Sequence, residues 1–337
     1  MGLVGADRKA ISRAQTRRRG DYRERDPPGR GRHGPTMIPN AGSGNGDLLS
    51  PSCPVVDAHA HLYDPGTLEY PWLEGAPVLR SPHLPSHYRQ ASEPVEVEKI
   101  VFVEVAARDG LALEEAAWVA DLARSERRLQ GIVAGARLER GTAVAEELDA
   151  LKELPAVRGV RRIVSAPFQS DPEFCLRPSF IKGVRLLPRY GFVFDLAAQK
   201  EDLLRSAQLV RKCPEVRFVL DHMANPDIRG GVTEPWASDL DALAALENVF
   251  CKVSGMIPNA APDWTVEQLE PYVDHAIEVF GFERLMFGSD WPVMDANGGS
   301  YRRWVDALTR IMSGTSEAEM RRLFGETAAE FYGLGQS

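Results

Sequence analysis

Val55-Val56-Asp57-Ala58-His59-Ala60-His61-Leu62 is the stretch on which the reading of the fold turns. From Val56 onward it alternates with the period of a β-strand. Val56, Ala58, Ala60 and Leu62 fall on one face, and Asp57, His59 and His61 on the other. Two imidazoles at i and i+2 of a strand project the same way from a stiff backbone, so the pair can grip a divalent metal or polarise a carbonyl. Two ordinary surface histidines would give the same letters. The pair gains weight from apolar runs further along, which end in Asp221-His222 and in Ser289-Asp290-Trp291-Pro292.

Outward from this stretch, strand and helix patterns alternate. After a loop rich in Pro and aromatics (63–97), β-rich runs occupy 99–105, 129–138, 157–164, 192–196, 217–222, 249–254 and 284–288. Helical patterns fill 111–127, the stretch up to Leu154, 177–190, 200–212, 237–247, 299–312 and 316–332. The clearest is 266–280, where Val266, Leu269, Tyr272, Val273, Ala276, Ile277 and Phe280 recur at three and four. Eight strands, each followed by a helix or long loop, predict a distorted (β/α)8 TIM barrel of one domain over residues 51–337. A doubly wound open sheet is the alternative. It is disfavoured because no glycine-rich phosphate turn follows the first strand.

The first fifty residues are rich in Gly, Pro and Arg and poor in apolar side chains, which predicts a disordered tail. Arg17-Arg18-Arg19 has no apolar core of a secretory signal beside it, and Met37 is a candidate alternative start. The tail holds ten Lys/Arg against five Asp/Glu, a net of +5. The total of −8 therefore leaves about −13 on the rest, which argues against a nucleic-acid surface. No run of about 18 apolar residues exists to span a membrane. Cys53, Cys175, Cys213 and Cys251 form no CxxC pair and suit a reducing, cytoplasmic compartment. Self-association is left open.

In such a barrel, chemistry sits at the C-terminal ends of the strands. That is where Glu104, Arg161, Arg162, Asp195, Asp221, His222, Lys252, Ser254 and Asp290 fall. In the seventh strand, Val249, Cys251 and Val253 suit the helix-facing side. Phe250, Lys252 and Ser254 then point inward, with Lys252 a partner for a substrate anion or an active-site carboxylate. Parity does not orient His222, since both faces of its strand are apolar. Asp290 is the strongest candidate for taking a proton from water.

Together, VVDAHAHLYDPGTLEYPWL, GVRRI, FVFDL, FVLDHMANP, CKVSGM and RLMFGSDWPV resemble, in order, the motifs of the amidohydrolase-related lactonases. The resemblance covers about residues 54–333. It implies hydrolysis of a lactone, either a sugar-acid or a dicarboxylate type, as the small-molecule substrate. Carried over by motif, His59, His61, His222 and Asp290 are the catalytic set and, if a metal is bound, its ligands. Arg161, Tyr63, Trp72, Trp291 and Lys252 are substrate-contact candidates. Members of this group differ in their need for metal, so one zinc-like divalent ion and no ion at all are both compatible. Asn225 stands where the group commonly has lysine. Arg162 adds a second cation beside Arg161, an expectation of a more acidic substrate. A metal-dependent decarboxylase or another amidohydrolase-type hydrolase is the alternative enzyme, and a non-catalytic binding barrel the alternative class.

Overall fold

Eight apolar runs become eight strands: β1 (Val55–Ala60), β2 (Val97–Val103), β3 (Leu129–Gly135), β4 (Val157–Ile163), β5 (Val193–Ala197), β6 (Phe218–Leu220), β7 (Val249–Val253) and β8 (Leu285–Phe287). This computed structural model describes residues 48–335; the expectations placed on the N-terminal tail up to residue 47, including Arg17-Arg18-Arg19 and Met37, lie outside them. Each strand pairs in parallel with the next, β1 through β8 in sequence order. The helices are α1 (Pro85–Ser92), α2 (Ala112–Ala123), α3 (Ala145–Lys152), α4 (Pro178–Val184), α5 (Leu187–Tyr190), α6 (Leu203–Lys212), α7 (Trp236–Ala244), α8 (Met256–Asn259), α9 (Val266–Phe280), α10 (Tyr301–Ile311), α11 (Glu317–Arg321) and α12 (Thr327–Tyr332). This is the TIM barrel that the alternation predicts.

The departures from expectation have local causes. The run 177–190 is two helices, because Pro188 cannot donate a backbone hydrogen bond and suits only the first turn of a new helix. Helix α9 keeps the bounds its periodicity predicts, and a reciprocal Thr265–Gln268 capping box sets its start. Helix α1, inside the long loop, carries a weak apolar pattern and escapes sequence reading.

Two features position the site. First, β1 slips register against β2 between Asp57 and Ala60: three steps on β1 oppose two on β2. The slip reverses the alternation. Asp57 therefore does not share a face with His59 and His61, whereas strict period two predicts that it does. Its carboxylate instead accepts from Tyr88 Oη of α1 at 2.7 Å, with Tyr301 of α10 beside that hydroxyl at 3.2 Å. Second, β8 meets β1 beyond its own end. Ala60 pairs with Trp291; Asp290 N donates to His59 O, and His61 N donates to Trp291 O, both at 2.8 Å. The seam that closes the barrel thus brings the HxH pair against the aspartate.

Inside the barrel, Val56, Ala58, Val101, Val103, Val133, Val193, Val219 and Met286 pack with Phe331 and Tyr332 from α12 and with Leu334. Phe250 joins this cluster, while Val249, Cys251 and Val253 face the helices, as the parity of β7 predicts. All four cysteines are free. Among the described residues no helix is long and apolar enough to cross a membrane.

Candidate active site

Four side chains converge where the seam closes. His59 Nε2 lies 3.3 Å from His61 Nε2 and 3.8 Å from Asp290 Oδ1. Asp290 Oδ1 is also 3.4 Å from His61 Nε2 and 3.9 Å from His222 Nε2. Backbone conformation helps to aim them. Residues 222–225 run in the left-handed region with φ of 50–59°, and Asp290 has φ 59°. Non-glycine residues adopt that region at a cost and cluster where function requires it. Gly255 and Gly288 leave the room: a Cβ on Gly255 would lie 2.5 Å from His222 Cγ, and one on Gly288 2.8 Å from His59 Cβ.

The far nitrogen of each ring has its own partner. His61 Nδ1 donates to Val103 O at 2.8 Å, which turns Nε2 toward the other site groups. His222 Nδ1 pairs with Ser254 Oγ at 2.8 Å. His59 Nδ1 sits between Asp221 Oδ1 at 3.3 Å and Lys252 Nζ at 3.1 Å. Burial holds the His59 pKa well below the usual histidine value, and Lys252 pushes it the same way. Burial also lowers that of His222. Both rings are therefore neutral near pH 7, the form in which imidazole binds a metal.

The donor set fits a divalent cation. His59, His222 and Asp290 offer donor atoms that all lie within 4.8 Å of one another, and His61 stands beside this group. Ligands of a tetrahedral site with bonds of about 2.0–2.1 Å sit about 3.3–3.4 Å apart. The two contacts of His61 Nε2 match that spacing, and the 3.8 and 3.9 Å contacts of Asp290 Oδ1 are slightly wider. Each imidazole also has the second partner that orients metal-binding histidines.

Beneath them lies a buried ionic network. Lys252 is fully buried and reaches Asp195 Oδ2 at 2.5 Å and Asp221 Oδ1 at 2.9 Å. Tyr332 Oη donates to Asp195 Oδ2 at 2.8 Å. Burial pushes Asp195 up to about 6 against the pull of Lys252. Burial also acts to raise Asp221, but Lys252 and His59 outweigh it and hold Asp221 well below the usual carboxylate range. Arg161 Nε donates to Glu104 Oε1 at 2.8 Å, and its guanidinium lies 3.5 Å from Asp221.

A cavity of about 300 Å³ opens over this centre. His61, His222 and Asp290 face it, and Tyr63, Trp72 and Arg161 form part of its wall. His59 is fully buried behind them. Two substrate-contact candidates lie elsewhere. Lys252 is absent from the wall and pairs with carboxylates, one of the two roles that parity allows it. Trp291 is 2% exposed and packs edge-on against Tyr88 and His83, acting on the centre through its carbonyl bond to His61 N. Arg162 is not a free second cation: both its Nε and Nη2 donate to Glu139.

Sequence reading overlooks Glu115. It is buried in α2 beside Glu104, and Val105 N donates to it at 3.3 Å. Burial first, then the charge of Glu104, raise it to about 8. One clue was available: Glu115 lies four residues before Val119, on the buried stripe of its helix.

An eight-stranded parallel barrel with histidines and carboxylates gathered at the strand ends defines the TIM-barrel class of enzyme centre. Within that class, the chain belongs to the amidohydrolase family, whose model matches residues 56–334. It is 28% identical over 287 residues to an L-fucono-1,5-lactonase of Burkholderia ambifaria, covering 82% of this chain and 94% of that protein. It is 21% identical to an L-rhamnono-gamma-lactonase of Scheffersomyces stipitis, covering 83% and 98%. Among solved structures it is similar to an amidohydrolase from Burkholderia multivorans with bound zinc. That match has a TM-score of 0.75 and 28% identity, covering 84% of this chain and all of that one.

Proposed function

We propose that this chain is a lactone hydrolase, an enzyme that adds water across the ester bond of a ring to give an open hydroxy acid. The observation that carries the reading is the approach of three imidazole Nε2 atoms to one carboxylate oxygen at the wall of a cavity. The lactonases similar to this chain, matched over nearly their whole length, supply the reaction class.

His59, His222 and Asp290 would hold a divalent cation, with His61 beside them. When bound, the ion supplies polarisation of the lactone carbonyl and acidification of water. The chain's own groups do the rest. Asp290 accepts a proton from the attacking water and hands it to the ring oxygen as the acyl C–O bond breaks. One C–O bond forms and one breaks, and the new carboxylic acid releases one proton near neutral pH. The neutral ring of His222 faces the carbonyl without repelling a cation, and His61 stands beside it. Tyr63, Trp72 and Arg161 orient the ring. Lys252 acts from beneath, fixing Asp195, Asp221 and His59. The four free cysteines suit a cytoplasmic setting.

A panel of sugar-acid and dicarboxylate lactones, followed with a pH indicator before and after dialysis against a chelator, tests the reading. Proton release well above the spontaneous rate is the expected result. Loss on chelation and recovery with zinc would assign the metal a working role. Carbon dioxide release without ring opening, or no turnover of any lactone, would overturn the reading.

A further inference from the structure

The reaction cavity does not stand alone. A second, larger cavity of about 670 Å³ adjoins it, within the size range of small-molecule sites. The two share Trp72, Ala106, Arg161, Ile163 and Phe168 as walls. The larger one lies over the loops that follow β2, β3 and β4, on the same face of the barrel as the reacting groups. Phe168, 48% exposed, stands at the junction.

The arginines of its lining already have carboxylate partners. Arg108 pairs with Glu69 at 2.9 Å and Arg137 with Glu147 at 2.8 Å; Arg162 pairs with Glu139. The Arg161 guanidinium is held by Glu104. At the buried Arg161 pair an anionic ligand would strand Glu104 without its cation; the Arg108 and Arg137 pairs are largely exposed and neutralise those cations with little energy at stake. Glu115 on the same wall is protonated near pH 7 and so can donate as well as accept. Donors and acceptors both line the cavity, together with aromatic and aliphatic surface from Trp72, Phe168 and Leu113. A hydroxyl both donates and accepts, and a sugar ring also presents C–H faces that pack on aromatic rings. A neutral, polyhydroxylated group matches this wall.

We propose that the larger cavity is a subsite for a second sugar unit carried by the lactone. On this reading, which rests on the lactone hydrolase assignment, the preferred substrate is a glycosylated sugar-acid lactone. The lactone ring occupies the smaller cavity, where only its acyl C–O bond is cleaved. The glycosidic bond stays intact, and the attached sugar lies between Phe168 and the paired arginines.

The test compares kcat/KM for bare and glycosylated lactones. The bare set is the 1,5-lactones of D-gluconic, D-galactonic and L-fuconic acids; the glycosylated set is the 1,5-lactones of cellobionic, lactobionic and maltobionic acids. The expected result is at least a tenfold preference for a glycosylated lactone. Leu113→Trp, a change at a residue 40% exposed and confined to the larger cavity, should abolish that preference and leave the rate on bare lactones unchanged. Arg162→Met should weaken it, through KM alone. Equal or faster turnover of bare lactones would overturn the subsite while leaving the hydrolase assignment standing. A preference that survives Leu113→Trp would overturn its location. No turnover of either set would overturn the subsite, and the hydrolase assignment would fall only if the dicarboxylate lactones of the wider panel were also left intact.

Discussion

To the apolar cluster inside the barrel, β5, β6 and β7 contribute Val193, Val219 and Phe250; two residues further along the chain in each case stand Asp195, Asp221 (just past β6) and Lys252. The lower level is dry and apolar, and its stability comes from burial and close packing. The upper level is equally inaccessible, with Asp195, Asp221 and Lys252 at 0% exposure, yet it is held by mutual neutralisation. Hydrophobic contacts tolerate many substitutions of similar volume. A buried ionic network does not, because removing one member strands the others. The molecule accepts that fragility where neutral imidazoles must be held in one orientation.

Four changes probe the contrast, in falling order of effect. Asp290→Asn should lower turnover by about 10²–10⁴-fold on any active lactone, with an unchanged circular dichroism spectrum and melting temperature. Near-normal turnover would remove Asp290 from the chemistry. Lys252→Met should cost about 3–5 kcal/mol in denaturant unfolding and reduce activity as well, because Asp195 and Asp221 lose their shared cation. A cost below about 1 kcal/mol would mean that the network is slack. At the dry level, Met286→Ala should cost about 2–5 kcal/mol while leaving kcat unchanged. A large loss of kcat there would show that the two levels are mechanically coupled.

Glu115→Gln sharpens the comparison through pH. Glu115 holds its proton up to about pH 8 in the folded chain, whereas an unfolded glutamate loses it near 4.5. The folded state therefore binds the extra proton, and this contribution to stability declines as pH rises from about 4.5 to 8. His59 and His222 act in the opposite sense. Their lowered values mean that stability is full above about 6.5 and is lost as pH falls below it. Melting temperatures from pH 5 to 8.5 should fall less steeply on the alkaline side in the glutamine variant. An identical slope in both proteins would show that Glu115 is ionised in the fold.

The barrel was legible because its strands are long apolar runs separated by helical patterns, and period is a local property. The HxH pair, the later histidine and the aspartate were legible as polar residues at strand ends. Asp57 was misjudged because a one-residue register slip is decided by the neighbouring strand, which local alternation does not contain. Arg162 reads from the sequence as a second cation beside Arg161, and its neutralisation by Glu139, 23 residues away in a different element, is not a local property. Glu115 is not legible because its neighbour Glu104 lies just past a strand while Glu115 itself lies in a helix.

What the chain's own order of residues determined, then, was the succession of elements and the kinds of side chain at their ends. Tertiary structure alone decided which of those charges cancel, which imidazoles lose their protons and where open space remains. The reason is physical: periodicity is set by bonds between neighbours in sequence, whereas ionisation and cavities depend on distances between residues that only the closed barrel brings together. His59 and Lys252, 193 residues apart and 3.1 Å from one another, are the clearest case.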